Sequence, residues 1–366
     1  MYTLKSMKMK KLIFLKIGLL LSFLIINHAA FAENLYGGIE IGSKGIKMSV
    51  IDVINVKKGI YEVKSFWTTN TGIARGIAST GNLFDEDMDN SVAVVVTNYN
   101  RMLNEFRIDN KKIFIVASSG VGMAKNTDVL IQKVLDKTNK NMEVISSQLE
   151  AKLLFKGCIP PKLYMNSVLI DIGGGNTKGG YVQIKNDENI VFFPINLDLG
   201  SVTLTEKLNT KSNKKEILDF INVSMSYNNT LNNDVKTMYD ERPLVPNMKN
   251  IYMSGGAVWS FYTLNNGTVA PDNYNEFTLE DVLKHHEILK YNYEKFVEMA
   301  KSDAEVDRVL KTYSQKNLIA ANSILISTLQ NLNNVEAKKV YYAKQGQIAW
   351  LLSYISESAK GARVIY

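Results

Sequence analysis

The sequence predicts an α/β protein of two halves, each a mixed sheet flanked by helices, with a cleft between them. Three observations predict it. Residues 38–43 and 170–175 each carry a short apolar strand into a glycine turn, and each opens a half of similar size. After the first of these units, strands come first and helix then alternates with strand. Pro160-Pro161 is followed by a restart of the same pattern.

Taken in order, residues 37–54 read as a hairpin. Gly37-Gly-Ile-Glu-Ile-Gly42 is one arm, and Ile46-Lys-Met-Ser-Val-Ile51 alternates as the other. A third strand follows at 61–68. Residues 92–106 carry an apolar stripe at helical spacing. Ile113-Phe-Ile-Val-Ala117 is a buried strand, closed by Ser118-Ser-Gly-Val-Gly122. A helix at 128–135, a strand at 142–145 and a short helix at 148–155 complete the first half. Beyond the two prolines, strands are expected at 168–174, 179–184 and 190–195. Residues 199–205 enter a helix, 228–233 read as a polar loop, and 242–246 as a turn. Residues 251–256 are a strand running into glycines. The remainder is mostly helical. Thr278 to Asp281 resembles a capping box, and Ser314 can cap the next apolar helix. A last strand lies at 340–343 and a last amphipathic helix at 348–355.

The first 32 residues read as a removable leader. Lys5, Lys8, Lys10 and Lys11 form its basic start, 17–26 its apolar core, and Ala30-Phe31-Ala32 its small-x-small cleavage site. That core is too short for a comfortable membrane span, which makes an uncleaved anchor the weaker alternative. The expected domains are 33–158 and 159–366, in a periplasmic or secreted protein. Removing the leader's five lysines takes the formal charge from +7 to +2, so the basic balance does not argue for nucleic acid. Cys158 is the only cysteine, which leaves no intrachain disulfide. His285 and His286 are the only histidines past the leader, so a zinc site or a Ser-His-Asp triad is not expected.

Ser167-Val-Leu-Ile-Asp-Ile-Gly-Gly-Gly-Asn-Thr177 organises the second half. Three consecutive glycines let the backbone turn tightly and approach a ligand. Backbone N–H groups in such a turn favour an anion, phosphate above all. Asp171, at the strand's carboxyl end, is placed to hold a cation bound to that phosphate. With Glu40-Ile-Gly-Ser43 as the counterpart, two turns face each other across the cleft and hold a polyanion from both sides.

Several ordered motifs resemble the exopolyphosphatase / guanosine pentaphosphate phosphatase family, within the superfamily of actin, the heat-shock-chaperone ATPases and sugar kinases. Residues 38–47 match its first phosphate hairpin. Val116-Ala-Ser-Ser119 through Asn126 match its Ala-Thr-Ser segment, and 144–153 its Ile-Ser-Gly-x-Glu-Glu-Ala-Arg-Leu helix start. Residues 169–177 match the second phosphate hairpin, Leu199-Gly-Ser-Val202 the Leu-Gly-Ser-Val segment, and Ser254-Gly-Gly256 the late glycine turn.

The resemblance implies two ribonuclease-H-like (actin-like) domains in a two-domain short form. It also implies cleavage of a terminal phosphoanhydride. Glu150 would position or deprotonate the attacking water, and Mg²⁺ would be held by Asp171 with help from Glu40. Phosphate contacts would come from Gly42, Ser43, Lys44, Ser119, Gly173, Gly174, Gly175, Asn176, Thr177, Lys178 and Gly255.

Three positions depart from the family pattern. Glu40 stands for an aspartate, Gly122 for an arginine, and Lys178 for an acidic residue. Lys44, Lys125 and Lys178 are candidates to grip phosphate directly as point charges. The expected partner is polyphosphate or another oligophosphate anion, since a cytoplasmic guanosine alarmone would not meet an exported protein. Nucleic acid and stable membrane insertion after cleavage are not expected, and a homodimer is an assembly open to this fold. The departures motivate a second reading, a non-catalytic polyphosphate or nucleotide sensor. An actin-like assembling protein is a third.

Overall fold

The computed structural model describes residues 34–57, 60–185, 189–212, 216–268 and 272–361. The leader assigned to 1–32 lies outside them.

Alternating apolar residues pair β1 (Leu35–Ile41) with β2 (Gly45–Asn55) in antiparallel register, joined by the Gly42-Ser-Lys turn. β3 (Ile60–Asn70) continues the meander. Next come α1 (Ile77–Thr80), α2 (Asp85–Asn104), β4 (Ile113–Ala117), α3 (Thr127–Thr138), β5 (Met142–Val144) and α4 (Ser147–Cys158). β4 and β5 join in parallel, giving the order β3-β2-β1-β4-β5. α2 buries Met88, Val92, Val95, Tyr99 and Met102, one stripe at helical spacing, into the first lobe's core. Its acidic first turn, Asp85 to Asp87, suits the positive end of the helix dipole.

The second lobe opens with β6 (Ser167–Ile172), β7 (Thr177–Ile184) and β8 (Ile190–Leu197). Then follow α5 (Ser201–Asn209), α6 (Ile217–Asp240), β9 (Asn250–Ser254), α7 (Gly256–Asn266), β10 (Tyr274–Glu276) and α8 (Leu279–Tyr291). The chain ends its described course with α9 (Glu294–Ala300), α10 (Ala304–Thr312), α11 (Gln315–Gln330), β11 (Lys339–Ala343) and α12 (Ala349–Ala359). The sheet order is β10-β11-β9-β6-β7-β8. Without the edge strand β10, this repeats the first sheet, with the same parallel and antiparallel neighbours. The two actin-like lobes are therefore present, each a mixed sheet flanked by helices.

Two expectations need correcting. Residues 228–233 are not a loop but the middle of α6. Asn228, Asn229 and Asn233 are exposed and the half-buried Asn232 accepts from the Ser327 hydroxyl, while Tyr227, Leu231 and Val235 keep the buried stripe continuous, so packing overrides a locally polar sequence. The last helix, assigned to the second half, crosses back to the first lobe. Leu351 and Ile355 press on Gly38 of β1, where any side chain would collide with them. α12 also lies on Gly157 of α4 through Ala349 and Ser353. α4 and α12 thus share one apolar cluster that includes residues of both sheets.

Candidate functional site

The two glycine turns meet. A Cβ placed on Gly174 would stand 2.7 Å from the Ser43 Cβ, and one on Gly175 would stand 2.7 Å from the Gly120 Cα. Only residues without side chains let the lobes approach so closely. Above this contact opens a cavity of about 320 Å³. It is lined by Glu40, Gly42, Ser43, Lys44, Glu150, Asp171, Gly173, Gly174, Gly175, Asn176, Lys178 and Gly255, among others.

Local hydrogen bonds fix each turn. The Gly42 amide donates to the Gly45 carbonyl at 2.9 Å. The amides of Ser201 and Val202 donate to the carbonyls of Gly173 and Gly174 at 2.9 and 2.8 Å. The N-terminus of α5 is thus spent on holding the second turn, which is the physical role of the Leu199-Gly-Ser-Val202 segment. Gly255 sits at φ +91°, and a Cβ there would lie 2.3 Å from the Ile172 carbonyl oxygen.

Glu150 lies in the first turn of α4, which Ser146 caps through the Leu149 amide. The Glu150 Oε2 accepts from the Ser119 amide at 2.9 Å and from the Ser119 hydroxyl at 2.7 Å. Its Oε1 is 3.0 Å from the Lys178 Nζ. Lys178 is also 3.0 Å from Asp171 Oδ2 and donates to Asn176 Oδ1 at 3.3 Å. The remaining Asp171 oxygen accepts from the Ser254 hydroxyl at 2.6 Å. Burial opposes the Lys178 charge, but Glu150 and Asp171 outweigh it and raise its pKa above the ordinary lysine value. Glu40 is paired with Lys47 at 3.1 Å. Burial pushes the Glu40 carboxyl above the usual range, Lys47 pulls it back, and Glu150 pushes it up again.

Lys44 crosses between lobes. Its Nζ donates to Asn317 Oδ1 of α11 at 2.9 Å and stands 5.3 Å from the centre of the Tyr313 ring. Burial lowers its pKa to about 8, with Glu206 opposing and Arg75 assisting the shift.

The cleft therefore brings together most of the residues expected from sequence. Two of them stand behind its wall. Thr177 donates to the Leu199 carbonyl, and Ser119 serves Glu150 while accepting from Asn176 Nδ2 at 3.0 Å. Lys125 packs along Gly81 and does not line the cleft. Gly122 faces Val144, where a Cβ would stand 2.7 Å from its methyl, so Val144 would have to shift to admit any side chain there.

Sequence reasoning missed the clamp on Glu150, although the hairpin register predicts half of it. Asp171 lies directly opposite Lys178, and Glu40 directly opposite Lys47. It also missed Arg308, Lys311 and Tyr313, which reach the cleft from the α10–α11 region and carry no local motif.

The expected Mg²⁺ does not fit the residues as folded. Mg²⁺ keeps several waters in a near-octahedral array and needs one or two free carboxylates, with substrate phosphate oxygens, to hold it. Both oxygens of the expected ligand Asp171 already accept, from Lys178 and Ser254, both oxygens of Glu40 accept from Lys47, and the Lys178 ammonium stands between Asp171 and Glu150. Among the described residues, no group of three or more His, Cys, Asp or Glu side chains is arranged to hold a metal.

Among solved structures, an exopolyphosphatase from Cytophaga hutchinsonii superposes with a TM-score of 0.68 at 16% identity, covering 91% of this chain and 100% of that one. An Aquifex aeolicus member of the Ppx/GppA family superposes with a TM-score of 0.58 at 18% identity, covering 90% and 99%. These likenesses establish the fold. By sequence, a bifunctional 3-dehydroquinate synthase/phosphatase of Fusobacterium nucleatum is 28% identical over 183 residues, 48% of this chain. A guanosine-5'-triphosphate,3'-diphosphate pyrophosphatase of Pseudoalteromonas atlantica is 26% identical over 176 residues, also 48% of this chain. The chain spans only 27% and 33% of those two proteins. Residues 55–241 match the Ppx/GppA phosphatase family, and the chain belongs to that family.

Proposed function

We propose that the chain is an exported phosphohydrolase that cleaves a terminal phosphoanhydride of inorganic polyphosphate or a related oligophosphate. One observation carries the reading. Two glycine turns from different lobes, several lysines and the Glu150 carboxylate line a single cavity. Phosphoryl transfer asks mainly for positioning and for charge on the equatorial oxygens. The Gly42 and Gly173 turns supply amides, and Lys44 and Lys178 supply charge.

Glu150, which lines this cavity, is the carboxylate that aims the water. As folded, its two oxygens are engaged by Lys178 and Ser119. An entering phosphate that draws the Lys178 ammonium toward itself frees Oε1. That oxygen then takes the proton of a water as the water oxygen bonds to the terminal phosphorus and the bridging P–O bond breaks. The electron pair leaves with the shortened chain.

The occupied state of Glu150 favours a second reading, a non-catalytic binder of the same anion. Phosphate release from long-chain polyphosphate, measured for the wild type and Glu150→Gln with binding measured in parallel, separates the two. The hydrolase reading expects release that drops about 100-fold or more in Glu150→Gln while binding persists. Binding without release in either protein leaves the binder.

A further inference from the structure

We propose that Lys178 is the resident cation of this cleft: its ammonium takes the place of a divalent metal between Glu150 and Asp171 and meets the oligophosphate directly, so that the anion is engaged without metal. The proposal rests on the phosphate reading of the cleft.

Three observations carry it. Lys178 is 4% exposed and makes contacts of 3.0, 3.0 and 3.3 Å to Glu150, Asp171 and Asn176, one for each ammonium proton, and an entering phosphate engages it by taking over the Glu150 contact. A compact, strongly hydrated charge is not buried without such partners. Its nitrogen lies beside the second glycine turn, 3.4 Å from where a Gly173 Cβ would be, within reach of an anion held there. The arrangement also recurs. Glu40 and Lys47 occupy the matching cross-strand positions of the first hairpin and pair at 3.1 Å. Each lobe thus brings its own ammonium to its own carboxylate at the mouth of its turn. A divalent ion placed here would face the charge of Lys178 and would have to displace the donors from Glu150 and Asp171.

The test uses the full chain and Mn²⁺ alone as probe, with free Mn²⁺ followed by paramagnetic resonance and the protein by its melting temperature. The wild type is expected to show no saturable uptake and no shift in Tm. Lys178→Glu is expected to take up one Mn²⁺ and to gain Tm as Mn²⁺ is added. Uptake of one Mn²⁺ by the wild type that is lost in Glu150→Gln overturns the proposal, as does a folded Lys178→Glu that ignores Mn²⁺. Should Lys178→Glu not fold, the wild-type titration decides alone. Sodium tripolyphosphate titrated in chelator and in Mg²⁺ keeps the two readings apart. Equal binding supports the proposal, and binding only with Mg²⁺ overturns it. Binding in neither buffer overturns the phosphate reading, while the Mn²⁺ titration still reports on Lys178.

Discussion

The Lys178 ammonium stands 3.0 Å from the Glu150 carboxylate, and both side chains are only 4% exposed. The contact ties the strand after the second glycine turn to the first turn of α4. It keeps the carboxylate expected to serve the reaction in a paired state until something else attracts the lysine.

Removing that lysine should cost stability. Lys178→Met leaves Glu150 and Asp171 buried without their counter-charge. Breaking a buried pair from one side typically costs about 3–5 kcal/mol. Urea denaturation should show a loss of that order; an unchanged midpoint would mean the pair contributes nothing in the folded chain.

The Ser119 hydroxyl donates to Glu150 and accepts from Asn176, so it couples the carboxylate to the second glycine turn. Ser119→Ala and Asn176→Ala should therefore be non-additive. A double-mutant cycle on stability is expected to give a coupling of about 0.5–3 kcal/mol. On the hydrolase reading, Ser119→Ala should lower kcat more than it raises KM. Strict additivity in the cycle would show that the network is not connected.

Lys44 makes affinity depend on pH. Burial sets its pKa at about 8, so it is charged below that pH and neutral above it. The groups around it are Glu206 of α5, Arg75, Tyr313 and Asn317. Oligophosphate affinity should fall as pH rises through about 8, and Lys44→Met should flatten the profile. A wild-type profile with no step there contradicts the assignment.

Much of this arrangement is legible in the sequence, for local reasons. The strand-to-glycine units at Glu40 and Asp171 mark the turns because only glycine allows backbones to meet as Gly120 and Gly175 do. The Thr278 capping box forms with both of its hydrogen bonds, since it needs only four consecutive residues. What stayed hidden depends on distant contacts. Lys178 reads as a phosphate contact, and its pairing with two carboxylates emerges only when the β6–β7 register sets it opposite Asp171 and the fold brings Glu150 to it. The asparagines at 228–233 read as loop because the stripe that buries Leu231 needs its neighbours on both sides. The return of α12 to β1 has no signal in its own residues. The complementary shape belongs to Gly38 and Gly157, far away in the chain.

His285 and His286 should set the acid limit of the fold. Burial lowers the first to about 3 and the second to about 4, from an ordinary 6.5. The unfolded chain binds these protons near pH 6.5 and the folded chain does not. Stability contributed by the pair is therefore full above 6.5 and is lost as pH falls toward 4. The slope is about 1.4 kcal/mol per pH unit for each histidine. Replacing both by glutamine should flatten denaturation midpoints across that window. An equally steep double variant would place the acid sensitivity elsewhere.

The central claim is that the facing Gly42 and Gly173 turns hold a chain of phosphates between the lobes. Isothermal titration of sodium tripolyphosphate into the wild type and into Lys44→Met tests it most directly. Losing one charge-assisted hydrogen bond costs about 1.5–3 kcal/mol, or roughly 10- to 100-fold in affinity. The account predicts saturable one-to-one binding by the wild type, weakened by that factor in the variant. Absence of saturable heat, or equal affinity in the two proteins, would contradict it.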